Sequence, residues 1–148
     1  MMGVMPDALE AIFEGLEPQP LAIGANCGVG ASDILVSVSQ MSAFSTPVVS
    51  KGNCGIPKFE GTTIKYSGTP ELMHTYAAMA ADAGARIVGG CCGTSPEHLA
   101  AMRRSINDRV PAPAPTTAEI IEKIGPLTNS VPGQADTSER DSRRRRKR

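Results

Sequence analysis

"ARIVGGCCGTSPEHL", residues 85–99, decides how this chain is read. Ala85-Arg86-Ile87-Val88 is a short run with a β-branched pair at its end, the composition of a strand. Ser95-Pro96-Glu97 supplies a cap, a proline at the first helical position and an acid in the first turn, the start signals of a helix. Between them lie two adjacent thiols, Cys91 and Cys92, flanked by Gly89, Gly90 and Gly93. Neighbouring side chains of a regular strand point to opposite faces. A bend made of glycine lets both thiols face the same point, so the stretch reads as strand, two-thiol bend, helix.

The same unit recurs upstream. Leu21-Ala22-Ile23-Gly24 reads as a strand ending in Ala25-Asn26-Cys27, followed by a helix capped by Ser32 with Ile34, Leu35, Val38 and Met41 on one face. Pro47-Val48-Val49 gives a second strand, ending near Asn53-Cys54-Gly55. Thr69-Pro70-Glu71 opens a helix whose inner face carries Leu72, Met73, Tyr76, Ala80 and Ala83, with Gly84 closing it. After Ser95 the inward positions are Leu99, Met102 and Ile106. Residues 7–16 carry a helical pattern of Leu9, Ile12, Phe13 and Leu16, and residues 58–68 read as polar and extended. Strands alternating with helices predict an α/β fold with a parallel sheet, and the polar and cysteine residues fall at the strands' C-terminal ends, where such folds build their sites. Residues 111–133 read as a proline-rich linker with a short helix near 118–124.

Composition narrows the function classes. The chain has 148 residues, 41% of them hydrophobic, only 3% aromatic, with no tryptophan. It holds no apolar run of the roughly 18 residues a membrane span requires, and the start, with Asp7, Glu10 and Glu14, lacks the basic region of a secretory signal. The expectation is a cytoplasmic protein, where four cysteines point to metal binding or catalysis before disulfides. The zero formal charge divides unevenly: residues 134–148 hold seven Lys+Arg and three Asp+Glu, a net +4, which leaves −4 for residues 1–133. The terminal block Arg143–Arg148 repels itself and is expected to be a disordered basic tail. An RNA-associated role is the reading such a tail invites, and the absence of interleaved aromatics to stack on bases argues against it.

Cysteines stand at three strand ends: Cys27, Cys54 and the pair Cys91-Cys92. Strand ends of a parallel sheet converge, so residues far apart in sequence can share one ion. Thiolates select zinc among cytosolic metals, and three of them leave a fourth, open position of the kind catalytic zinc sites keep. Such a site suits a thiol substrate, since coordination holds it deprotonated at neutral pH. Ordinary core packing of small cysteines is the competing reading, and Cys54 stands between the two. His74 and His98 lie within helices and read as surface or cap residues.

"GANCGVG" at 24–30 and "GGCCGTSPEHLAAM" at 89–102 resemble the two zinc-binding signatures of homocysteine S-methyltransferases, and "KGNCGIPKF" at 51–59 resembles the strand-end motif between them. The resemblance covers about residues 8–109. It implies a (βα)₈ TIM barrel with Zn²⁺ on Cys27, Cys91 and Cys92, Asn26 shaping the homocysteine site, and Cys54 outside the ligand set. It also implies methyl transfer from betaine, S-methylmethionine or methylcobalamin to homocysteine, giving methionine. A full barrel takes eight βα units and about 250 residues; three are legible here. The expectation is therefore a partial barrel over residues 1–110, its C-terminal βα units, inactive alone: a fragment, a chain with a miscalled start, or a split subunit completed by a chain carrying the N-terminal half. A zinc-binding half-barrel that docks to a partner without turnover is the alternative.

Overall fold

Two short 3-10 turns, Pro6–Ala8 and Glu10–Phe13, lead into β1 (Ile23–Cys27) and α1 (Ala31–Gln40). Then come β2 (Val48–Gly52), β3 (Pro57–Glu60), β4 (Thr63–Tyr66), α2 (Pro70–Asp82), β5 (Ala85–Gly90), α3 (Pro96–Asp108) and α4 (Thr117–Lys123). This computed structural model describes residues 3–27, 30–55 and 57–128; the expected basic tail, 134–148, lies outside them. Strands β1, β2 and β5 form a parallel sheet in the order β1-β2-β5, with Ile23 opposite Val48 and Cys27 opposite Gly52. Parallel strands alternating with helices are the arrangement of a partial βα barrel. Among the described residues, no helix is long and apolar enough to cross a membrane.

The core lies between the sheet and the helices. Leu35 and Val38 of α1 and Met73, Tyr76, Ala77 and Ala80 of α2 are fully buried. Fully burying a leucine or methionine side chain contributes about 1.5–3 kcal/mol. In β2, Val48, Ser50 and Gly52 are buried while Lys51 between them is exposed, so helices cover one face of the sheet only. The Tyr76 hydroxyl crosses to that face and shares a 2.6 Å hydrogen bond with Ser50 Oγ. Burial pushes the Tyr76 phenol up to about 12, so it remains a neutral strut between α2 and β2. Helix α4 adds Ile120 to the core, and Ser32 Oγ donates to the Gly125 carbonyl at 2.9 Å, fastening the following turn to α1.

Several expectations need correction. Residues 7–16 do not form the amphipathic helix their periodicity suggests: Ile12 and Leu16 are each 50% exposed, and Leu9 packs at the core's margin. A ten-residue helix needs a packed face to persist. Here the segment is held instead by the Glu10 carboxylate, which accepts from Thr46 N at 2.8 Å and Ser45 Oγ at 2.9 Å. The Thr46 amide, first among these donors, holds the Glu10 carboxyl down at about 2. Strand β1 starts two residues later than expected and runs to Cys27, because its limits follow its pairing with β2. The cap of α1 is Gly30, not Ser32. Leu99, expected inward, is 50% exposed beside the equally exposed Ile87, because β5 is an edge strand. Finally, the polar stretch after Gly55 is an antiparallel hairpin, β3 with β4, turned at Gly61.

Candidate metal centre

The end of β1 brings up the first thiol by an uncommon backbone conformation. Cys27 has φ +68°, and it alone among the described non-glycine residues lies in the left-handed region. Such a conformation costs about 1–3 kcal/mol and persists where the surroundings over-determine it, a pattern that clusters at functional sites. The second and third thiols come from the bend after β5. Thr94 N donates to the Cys91 carbonyl at 3.3 Å, closing a four-residue turn. Gly93, its third residue, has φ +75°, as a turn of this kind requires.

Three bonds fix this bend to the end of β2. Cys91 N donates to the Gly52 carbonyl at 2.9 Å, and Cys54 N donates to the Cys92 carbonyl at 2.9 Å. The third, from Cys92 N, goes to Asn53 Oδ1 at 3.1 Å. Asn53 is buried, so a side chain of the central strand's loop orients the thiol pair. The sequence reading gives Asn53 no role of its own, although it stands inside the KGNCGIPKF motif; the signal is an amide side chain at a strand end.

The result is a cluster of three sulfurs. Cys27 Sγ lies 3.9 Å from Cys92 Sγ, Cys91 Sγ is also 3.9 Å from Cys92 Sγ, and all three fall within 4.8 Å of one another. Zinc bound tetrahedrally at about 2.3 Å by each sulfur would space them about 3.8 Å apart. Two of the three spacings match that value and the third lies within 4.8 Å, so the donor set fits the ion. Cys27 and Cys91 are half-buried and Cys92 is exposed, so the cluster opens to solvent. A hydrogen bond from the Tyr66 hydroxyl, first among the causes, holds the Cys92 thiol below its ordinary range, while burial pushes Cys91 up.

The other candidates fall elsewhere. Asn26 is exposed on β1 beside Cys27. Cys54 is 1% exposed within the hydrophobic core, and burial raises its thiol. His98 caps α3, its Nδ1 accepting from Ser95 N at 3.0 Å, and His74 is exposed on α2. Neither histidine belongs to the cluster.

Thiols gathered at the C-terminal ends of parallel strands define a class: βα proteins whose site chemistry is carried by sulfur at the strand ends. The family described as homocysteine S-methyltransferase has a model that matches residues 2–106. That is most of the chain, and the protein belongs to this family of methyltransferases.

Proposed function

We propose that this chain is the zinc-bearing part of a homocysteine S-methyltransferase, with homocysteine as methyl acceptor and methionine as product. The observation that carries the reading is the convergence of Cys27, Cys91 and Cys92 within 4.8 Å. These three would hold Zn²⁺. When bound, the ion supplies the Lewis acidity that keeps an acceptor thiol deprotonated at neutral pH. The chain's own residues prepare the place. The left-handed turn at Cys27 and the Cys91–Thr94 turn aim three sulfurs at one point, and the Asn53 amide holds the pair in register. Asn26, exposed next to Cys27, would help shape the homocysteine site. No general base is required beside the cluster, because the acceptor reacts as a thiolate.

The reading places the reaction in a reducing compartment, the cytoplasm, where these thiols stay free. The sheet's two edges, β1 and β5, are where a chain carrying further strands would complete the barrel and supply the donor pocket. Elemental analysis of the purified chain should find about one zinc. Cys54→Ala should keep it, since that thiol faces the core. Methyl transfer should appear when such a second chain is added and not before. A chain that takes up no zinc when it is supplied, or a Cys54→Ala chain that loses it, removes the basis of the reading.

A further inference from the structure

Tyr66, the last residue of β4, belongs to neither cysteine motif, yet it reaches the cluster. Its hydroxyl hydrogen-bonds Cys92, and Cys92 is the exposed thiol of the three, with the least protein around it. The Tyr66 ring packs on Gly93 so closely that a Cβ there would run into the ring. Contact and hydrogen bond thus fall on consecutive residues of the same bend. Asn53 Oδ1 holds the Cys92 amide. Among the described residues the β3–β4 hairpin has no strand of the parallel sheet as a partner, and Tyr66 carries its end to the thiol pair.

We propose that Tyr66 is a positioning residue of the metal centre: its hydroxyl donates to Cys92 Sγ and its ring braces the Cys92-Gly93 bend, so that the hairpin sets the direction of the most exposed thiol. This rests on the zinc reading above. Groups that hydrogen-bond a metal ligand orient it and tune the metal, and their removal typically weakens metal binding by about 10–100-fold. A thiolate that keeps a hydrogen bond is also a weaker electron donor, so the bond should be visible in the spectrum of a coloured metal at the site.

The test compares the full chain with its Tyr66→Phe variant, which keeps the ring on Gly93 and removes the hydroxyl. Zinc affinity is measured by competition with a chromophoric chelator, and Co²⁺ is substituted to read the sulfur-to-cobalt absorption band. The expected result is a zinc dissociation constant raised about tenfold and a shifted Co²⁺ band, with an unchanged urea midpoint for the metal-free chains. A merely structural tyrosine would move the midpoint and leave the band of the folded protein alone. A wild-type chain that binds no zinc overturns both proposals. Wild-type binding matched by Tyr66→Phe in affinity and spectrum overturns the Tyr66 assignment alone, as does a Tyr66→Phe chain that fails to fold.

Discussion

Cys91→Ala is expected to lower zinc from about one per chain to under roughly a tenth after dialysis against a weak chelator. The magnitude follows from how few donors there are. Zinc held by full sets of protein ligands is worth about 10–16 kcal/mol, so one thiolate carries on the order of 3 kcal/mol, over a hundredfold in the dissociation constant. No other sulfur can stand in. Cys54 is fixed inside the core by bonds at both ends of its peptide unit, from its own amide to the Cys92 carbonyl and from Gly68 N to its carbonyl at 3.0 Å. At room temperature the secondary structure should survive, because the amide of residue 91 still reaches Gly52 and only a half-buried thiol is removed, although the chain should melt earlier without its metal. Zinc content and far-ultraviolet circular dichroism together check this. Full occupancy in a folded Cys91→Ala chain would show that the three-sulfur cluster is not the metal centre.

Gly24→Ala should be the most damaging single methyl group in the sheet. Gly24 lies opposite Val49 in the β1–β2 ladder, and a Cβ there would run into the Val49 carbonyl oxygen. The obstacle is backbone, not the movable end of a side chain, so the strands themselves must separate. Overpacking of this kind costs about 1–3 kcal/mol and occasionally more. The upper end is expected here, about 3 kcal/mol, which for a domain of this size lowers the melting temperature by about 10 °C. Because β1 ends in Cys27, zinc binding should weaken with it. Gly3→Ala, where a Cβ meets nothing, serves as the control. If the two variants melt within a degree of each other, the tight β1–β2 approach is not a real constraint.

How much of this was legible in the sequence depended on whether the deciding physics was local. Helix α2 could be placed to the residue, since Thr69-Pro70-Glu71 carries its own start signals and Thr69 Oγ1 does accept from Leu72 N at 3.2 Å. The three parallel strands announced themselves as apolar runs before glycine-rich ends. Residues 7–16 carry a helical period as well. Period only says which side chains could share a face, and Ile12 and Leu16 are left half exposed. The hairpin was hidden because each of its strands is only four residues long and each exists through pairing with the other. Tyr66 was lost with it. Cys54 shows the remaining difficulty: residue type and position alone left it between site and core, the resemblance set it outside the ligand set, and the path of the chain after Gly52 turns it into the core.

Strand β2 lies between the two strands that carry the sulfurs, and Cys27 and Cys92 stand 65 residues apart in the chain. An ion joining them is therefore a cross-link that spans the middle strand and closes a large ring containing α1, the hairpin and α2. In the chain-entropy picture a covalent link closing a loop of that length restricts the unfolded chain by about 4 kcal/mol. That is a large share of what a domain of this size typically has in hand, about 5–15 kcal/mol. For a sheet with two open edges, the metal would then be a fastener as much as a reagent. Stripping it with a chelator should loosen the whole three-stranded platform, and heat should unfold the stripped chain well before the loaded one.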